Sequence, residues 1–127
     1  MATQIEENKR IAVGVYTGLF NKKDLSIIEE RIAPNYRQYN PTVHDGAEEL
    51  RSALEGMLAS FPELRVDVKG TTAEVDLVAL HVHWSMNPED RGSAIVDVFR
   101  LENGLLVEHW DVIQEIAETS ANHNGMS

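Results

Sequence analysis

The sequence contains no cysteine, which excludes a disulfide framework and any metal site built on thiolate ligands. Basic residues are also few, with 11 Lys and Arg against 21 Asp and Glu and a formal net charge of -10. Such a field repels a phosphate backbone or an anionic membrane, so we expect neither nucleic acid nor membrane as a partner. The charge instead favours a neutral or cationic small molecule.

Long apolar runs are missing as well. No run approaches the roughly 18 residues of a membrane span, and the first ten residues, MATQIEENKR, have no apolar signal-peptide core. We therefore expect a cytoplasmic protein. A chain of 127 residues suits one domain. We predict that this domain covers residues 1–117 and that the small, polar residues 118–127 form a disordered tail.

The first half of the chain has apolar residues at helical spacing, separated by capping residues and prolines. Thr3 and Glu6 form a capping-box pattern, which predicts a helix beginning there. The predicted elements are helices at residues 3–21, 24–32 and 45–61, with a short strand at residues 36–40 between the last two. The apolar stripe of the third helix, including Met57 and Phe61, is expected to pack in the core.

In the second half the apolar residues recur with a period of two, as expected for strands. The predicted strands are residues 64–69, 74–86, 93–101 and 105–115. Helices followed by antiparallel strands are typical of an α+β domain. A curved sheet wrapped against the three N-terminal helices would enclose a pocket.

The last two strands can be aligned from the turn that joins them. Glu102-Asn103-Gly104 fits a three-residue hairpin loop with its glycine in the left-handed conformation. This loop pairs Leu101 with Leu105. It therefore places Asp97 directly opposite His109.

One face of this predicted hairpin is mostly apolar but is interrupted by three titratable side chains. In the same register Asp111 is the diagonal neighbour of Asp97, and Phe99 lies opposite Val107. The face comprises Ile95, Asp97, Phe99, Leu101, Val107, His109, Asp111 and Ile113. Buried charges are rare unless they are paired or used, because their desolvation costs several kcal/mol. We therefore expect this face to line a functional pocket.

Other interpretations of these polar residues stay open. The Asp97–His109 pair could be only a satisfied internal ion pair. His81 and His83, which share one face of the long strand, could line the pocket or be core histidines bonded to backbone. Together with His109 they are only a weak metal signal, so we predict no metal. The sequence has no Gly-rich phosphate loop and no serine or cysteine nucleophile motif, which leaves carboxylate acid–base chemistry.

Several short motifs resemble one known family. They are Tyr36-Arg-Gln-Tyr-Asn-Pro41, Asp45-Gly46, Asp97-Val-Phe-Arg100 and, after Gly104, Glu108-His-Trp-Asp-Val-Ile-Gln114. They are similar to motifs of the SnoaL-like polyketide cyclases, which belong to the nuclear transport factor 2-like superfamily. The resemblance spans about residues 5–116. It implies a conical α+β barrel of the cystatin-like type, an internal ligand pocket and a homodimer.

The resemblance also implies roles for particular residues. In these cyclases an aspartate at the place of Asp111 is the general acid/base of an intramolecular aldol closure, and an asparagine matching Asn40 lines the pocket. The family's histidine on the neighbouring strand falls at Asp97, and its glutamine falls at Ile95. Ketosteroid isomerase, a relative, is similar at Tyr16 and Asp97, which match its oxyanion-binding tyrosine and its protonated aspartic acid. Its catalytic base falls at Asn40.

Limonene-epoxide hydrolase is another relative. It is similar at Asn40 and Asp111, and its arginine and second aspartate map near His81 and His83. An epoxide hydrolase or an isomerase is therefore an alternative to a cyclase. A module that binds a ligand or associates with a partner, without chemistry, is a further alternative.

We predict an enzyme in which Asp111 moves a proton on a small hydrophobic carbonyl-type substrate without a cofactor. His109 and Asp97 complete the predicted catalytic group. The predicted substrate-binding residues are Asn40, Tyr16, His81, His83, Phe99 and Ile113. The residues expected at a dimer contact are Val98, Arg100, Trp110 and Trp84.

Overall fold

Three helices and five strands make up the computed structural model, which describes residues 2–127. In chain order they are α1 (Gln4–Phe20), α2 (Ile27–Arg31), β1 (Ile32–Gln38), α3 (Ala47–Ser60), β2 (Arg65–Glu74), β3 (Leu77–Ser85), β4 (Ser93–Glu102) and β5 (Leu105–Glu115). Residues 116–127 have neither helix nor strand. None of the helices in the described part of the chain is long and apolar enough to cross a membrane.

The strands form one curved sheet in the order β1-β5-β4-β3-β2. Strands β2 to β5 are antiparallel neighbours, and β1 joins the edge parallel to β5. Helix α1 packs on β2 and β3, and α3 packs on β1. The predicted α+β class, with a mixed curved sheet against three helices, is therefore confirmed.

Helix α1 begins where the sequence predicts, because the Thr3 hydroxyl oxygen accepts the backbone N–H of Glu6 at 3.1 Å. Its inward face buries Ile11, Ala12, Val15, Tyr16 and Leu19. In α3 only Leu54 is fully buried, and Met57 packs at the edge of the core. Phe61, which we expected in the core, is 41% exposed because the helix has already ended at Ser60.

Three strands have limits that differ from the prediction by several residues. Strand β2 continues to Glu74, whereas we predicted an end at residue 69. Strand β1 begins at Ile32 rather than Tyr36, and Pro34 is tolerated within it because β1 is an edge strand. The predicted long strand at residues 74–86 contains a chain reversal at Val75 and Asp76, with Val75 at a φ of 56°. A β-branched residue rarely adopts this conformation, so the sequence carried no turn signal there.

The turn between β4 and β5 also differs from the prediction. It has two residues, Asn103 and Gly104, with φ of 51° and 79°, as Asn-Gly turns prefer. Leu101 pairs with Leu106, but the next pair is Arg100 with Glu108. Val107 is therefore an extra residue in a β-bulge.

This bulge sets the register of the remaining hairpin. Asp97 lies directly opposite Asp111, whereas we predicted His109 as its partner. Phe99 lies opposite His109, whereas we predicted Val107 as its partner. The predicted register is thus wrong by two residues, which keeps the same side chains on the same face. The exception is at the bulge itself, where Leu106 is buried and Val107 is not.

Candidate active site

A cavity of about 230 Å³ lies between the inner face of the sheet, α1 and α3. Its wall is apolar except at one end. The lining residues are Val15, Tyr16, Leu19, Phe20, Ile32, Tyr36, Gln38, Asn40, Thr42, Val43, Leu50, Ala53, Leu54, Met57, Trp84, Ile95, Asp97, Phe99, Leu106, His109, Asp111 and Ile113. No lysine or arginine of residues 2–127 is among them, so the cavity suits a largely apolar ligand with one polar end.

Strands β4 and β5 bring the three predicted catalytic side chains together at the polar end. The His109 Nε2 atom lies 2.7 Å from Asp97 Oδ1 and 3.9 Å from Asp111 Oδ2. The side chains of Asp97, His109 and Asp111 are only 3%, 11% and 12% exposed. The spacing follows from the bulge, because it puts the two aspartates opposite each other with His109 one diagonal step away.

The parallel strand β1 adds a second layer of contacts. Gln38 pairs with His109 in the β1–β5 ladder, and its Oε1 lies 2.6 Å from His109 Nδ1. Two residues further on, the amide Nδ2 of Asn40 donates to both carboxylate oxygens of Asp111, at 3.2 and 2.9 Å. Strand β1 and the residues just after its end therefore fix the orientation of both the imidazole and the carboxylate.

Asn40 is itself held by the loop that follows it. Its Oδ1 accepts hydrogen bonds from the Thr42 backbone N–H at 2.9 Å and from the Thr42 hydroxyl at 2.6 Å. With the carbonyl oxygen committed to the loop, the amide nitrogen must point at Asp111. The donor that meets Asp111 is thus oriented before any ligand binds.

Two tyrosines contribute hydroxyl groups near the carboxylates. Burial raises the pKa of Tyr16 well above its ordinary value, and the charges of Asp97 and Asp111 raise it further. Burial and the same two aspartates also raise the pKa of Tyr36. Both hydroxyls therefore stay protonated at neutral pH and can only act as hydrogen-bond donors or acceptors.

Apolar contacts complete the polar end of the cavity. The ring of Phe99 stacks on the ring of His109 with centroids 4.8 Å apart. Ile113 lies at the rim, where it is 50% exposed. Of the predicted pocket residues, Asp111, His109, Asp97, Asn40, Tyr16, Phe99 and Ile113 line this one cavity.

His81 and His83, which we predicted to bind the substrate, are outside the cavity. His81 is exposed, and His83 Nε2 lies 2.8 Å from the carbonyl oxygen of Arg91. The alternating residues Val78, Leu80 and Val82 are buried instead. The apolar face of β3 is therefore the inner one, and both histidines are on the outer face.

Among the lining residues that we did not predict as pocket residues are Tyr36, Gln38 and Trp84. Gln38 and Tyr36 precede Asn40 by two and four residues on β1, so the period of two could have placed them on the same face. Trp84, which we assigned to the core or a dimer contact, faces the cavity and packs edge-on against Phe20.

The polar cluster also has the composition of a weak metal site. The ligand atoms of Asp97, His109 and Asp111 lie within 4.8 Å of one another. A divalent cation could be held by two carboxylate oxygens and Nε2. The 2.7 Å contact between Nε2 and Asp97 Oδ1, however, is a hydrogen-bond distance. The expected absence of a metal remains a prediction.

Comparisons with known proteins connect this arrangement to a family. Residues 10–120 match the family described as SnoaL-like polyketide cyclase. No protein with a curated description matches the chain in sequence.

Solved structures share the fold. TsrD from Streptomyces laurentii is 22% identical with a TM-score of 0.70, covering 89% of this chain and 91% of that one. AclR from Streptomyces galilaeus, for which a hydroxylase activity has been suggested, is 28% identical with a TM-score of 0.71, covering 88% and 81%. A SnoaL-like protein from Jannaschia sp. CCS1, suggested to be a polyketide cyclase, is 18% identical with a TM-score of 0.75, covering 89% of each chain.

Proposed function

The chain belongs to the SnoaL-like polyketide cyclase family, and we propose that it is an enzyme in which Asp111 takes a proton from a carbon next to a carbonyl group. The observation that carries the proposal is the position of the Asp111 carboxylate. It lies on the wall of an apolar cavity, is held by Asn40 through both oxygens, and has the His109 imidazole 3.9 Å away. A base, a fixed orientation and a neighbouring donor are the elements of general acid–base catalysis.

The proposed step can be written in full. The Asp111 carboxylate accepts the α-proton, the C–H bond breaks, and its electron pair moves onto the carbonyl oxygen. A donor at the polar end of the cavity, His109 or the Tyr16 hydroxyl, stabilises the developing enolate oxygen. In an aldol closure the enolate carbon then bonds to a second carbonyl carbon of the same molecule. The new alkoxide oxygen recovers a proton from Asp111.

The electrostatics of the cavity support a neutral substrate. Two carboxylates, Asp97 and Asp111, face a space that no lysine or arginine of the described chain lines. A substrate with its own carboxylate or phosphate would be repelled by the charge of Asp111 there. A small hydrophobic molecule with a ketone or ester at one end fits both the apolar wall and the polar end. This chemistry requires no cofactor.

Exchange of α-protons with solvent tests the proposal without knowledge of the natural substrate. Slowly exchanging bicyclic ketones, such as 1-tetralone and 1-indanone, would be incubated with the enzyme in D₂O and followed by proton NMR. We expect the wild type to accelerate exchange. Asp111→Asn has nearly the same shape but cannot accept the proton, so the acceleration should fall by about 10²- to 10⁴-fold.

The matched control is Asp67→Asn, because Asp67 is an exposed aspartate on the outer part of β2, paired with Lys69. It should exchange the ketones at the wild-type rate. Circular dichroism would establish that both variants are folded. If D111N accelerates exchange as well as the wild type does, or if no ketone that binds is exchanged faster than in buffer, the proposed role of Asp111 is wrong.

A hydroxylase is the second candidate, supported by the 28% identity to AclR. The two candidates differ in the mass of the product. Proton transfer and aldol closure leave the substrate's mass unchanged in H₂O, whereas hydroxylation adds one oxygen atom. A pocket that binds ketones without exchange would instead favour the ligand-binding alternative.

The protein is further proposed to work in the cytoplasm as a homodimer. The outer face of the sheet supports the homodimer, because it exposes apolar side chains. Val96 and Val112 are direct cross-strand partners there and are 43% and 73% exposed. Trp110 and Val98 lie on that same face, whereas Trp84 faces the cavity. Sedimentation equilibrium measures the oligomeric state directly.

A further inference from the structure

The two ring nitrogens of His109 face two different hydrogen-bond acceptors. Nδ1 lies 2.6 Å from Gln38 Oε1, and Nε2 lies 2.7 Å from Asp97 Oδ1. A neutral imidazole has one N–H and one lone pair, so it can donate to only one of them. The second contact therefore requires another proton, either on the ring or on Asp97.

The orientation of the Gln38 amide decides which nitrogen of His109 carries its own proton. Gln38 Oε1 also accepts the backbone N–H of Asn40 at 3.1 Å. Turning the amide over would bring its NH₂ group against that N–H, donor against donor. The oxygen consequently faces His109, and Nδ1 must be the donor in this contact.

From this geometry we propose that Gln38 holds a proton on Nδ1 of His109, so that Nε2 and Asp97 share one further proton and act as the acid that complements Asp111. The inference rests on the proposed function for the role of Asp111. Gln38 is a positioning residue, because it acts on the reaction through His109.

The proton count follows directly. With Nδ1–H fixed, the pair is either an aspartate with an imidazolium or an aspartic acid with a neutral imidazole, and in both forms its net charge is zero. Asp111 is then the remaining negative charge at the polar end. This arrangement relieves the repulsion that two facing carboxylates, Asp97 and Asp111, would otherwise have.

The opposite tautomer would remove the acid. If Nδ1 were unprotonated, the only proton of His109 would lie on Nε2, donated to Asp97, and an ionised Asp97 would be left without a proton to give. With Gln38 in place, the substrate's carbonyl oxygen can take the shared proton as Asp111 takes the α-proton. The substrate then becomes its enol, Asp111 becomes neutral and the Asp97–His109 pair becomes negative. Reversal of both transfers restores the enzyme.

Nitrogen NMR of the free protein tests the proposal without any substrate. Protein labelled with ¹⁵N-histidine would be studied at neutral pH in long-range ¹H–¹⁵N spectra, and the His109 signals would be identified by their loss in His109→Asn. We expect the wild-type Nδ1 to have the shift of a protonated nitrogen. In Gln38→Met, a variant of similar length with no acceptor oxygen, Nδ1 should move to the shift of an unprotonated nitrogen.

Two further variants separate positioning from packing. Gln38→Glu keeps an acceptor oxygen facing Nδ1, so Nδ1 should keep the shift of a protonated nitrogen. Q38M should lose on the order of 10²-fold in exchange. Gln114→Met changes an exposed glutamine on β5, outside the cavity, and should alter neither measurement.

An unprotonated Nδ1 in the wild type overturns the proposal, and so does a Q38M spectrum identical to that of the wild type. The wild-type spectrum alone is decisive even if Q38M does not fold. The result is also independent of the test of Asp111. A protonated Nδ1 together with full activity of D111N would refute the proposed function and leave the proton assignment standing.

Discussion

Strands β4 and β5 carry a charged cluster on each face of the sheet, and the two clusters differ in their access to water. On the inner face, Asp97 and His109 are 3% and 11% exposed at their side chains. On the outer face, Arg100 contacts Glu108 and Glu102, and the three side chains are 28%, 15% and 59% exposed. Both clusters use alternate residues of the same two strands.

The two clusters share a plan but neutralise their charges differently. Each has an aromatic stack, Phe99 on His109 inside and Tyr39 on Trp110 outside, with centroids 4.8 Å apart in both. On the outer face, the Glu108 carboxylate accepts hydrogen bonds from the Arg100 guanidinium and the Tyr39 hydroxyl, so both of its oxygens are paired. The inner carboxylates of Asp97 and Asp111 contact the His109 imidazole and the Asn40 amide, and no lysine or arginine of the described chain lines their cavity. A charge retained inside without a permanent cation is costly, and this is what distinguishes a reactive site from a surface ion pair.

The largest change in stability is expected when the inner Asp97–His109 pair is broken. His109→Leu leaves the Asp97 carboxylate buried without its partner, so we expect the free energy of unfolding to fall by about 3–5 kcal/mol. Urea unfolding at neutral pH measures it. Adding Asp97→Asn to this variant removes the stranded charge and should recover part of the loss. A loss in H109L no larger than that of an outer-face variant would contradict the comparison.

A smaller change in stability, which depends on pH, is expected from the two tyrosines of the cavity. Burial and the nearby aspartates raise the pKa of Tyr16 and Tyr36 above the ordinary 10.0. At a pH between the pKa of a tyrosine in the unfolded chain and its higher pKa in the folded protein, the folded state keeps the hydroxyl proton and the unfolded state releases it. Stability is thus fully present below about pH 10 and should fall above it by about 1.4 kcal/mol per pH unit for each tyrosine. Urea unfolding from about pH 9 to about pH 11 measures this slope. Tyr16→Phe and Tyr36→Phe should each flatten it, and slopes that match the wild type would show that these hydroxyls are not the cause.

The smallest effect is expected on the outer face. Arg100 and the Tyr39 hydroxyl lower the pKa of Glu108 below the ordinary 4.5. Any stability it contributes is therefore present above about pH 4.5 and is lost as the pH falls through the folded pKa. Because this pair lies on the outer face and has Arg100 as a permanent cation, Glu108→Gln should lower the free energy of unfolding in urea at neutral pH only slightly, by much less than H109L does, and leave ketone exchange unchanged. A loss comparable to that of H109L would mean that the two faces do not differ as argued.

Much of the site could be predicted from local patterns. The period of two placed His109 and Asp111 on one face of β5, and the predicted hairpin pairing added Asp97 from β4. The resemblance to SnoaL-like cyclases added Asn40, and the related isomerase added Tyr16, both from outside the hairpin. The predicted substrate-binding histidines were wrong because period two divides β3 into two faces without saying which is inner. His81 and His83 lie on the outer face of β3, and the buried Val78, Leu80 and Val82 lie on its inner face.

The pairing of β4 with β5 could not be predicted from the local sequence pattern. We predicted a three-residue loop, whereas the structure has a two-residue turn at Asn103 and Gly104, and a regular ladder from that turn would put Trp110 opposite Asp97. The bulge at Val107 absorbs one residue and restores His109 and Asp111 to the inner face. Burial of the apolar side chains decides between these pairings, and burial is a property of the whole fold.

The sequence by itself therefore determined the α+β class, the helices and the sets of side chains that share a face, because helical and strand periods are local properties of the chain. The tertiary structure decided which face encloses the cavity and that Asp97 faces Asp111. It also decided that β1 brings Gln38 to His109, and that the loop after β1 brings Asn40 to Asp111. Those contacts join residues as many as 71 positions apart. Their distances depend on strand order and on a bulge, which are fixed only when the sheet closes around its core.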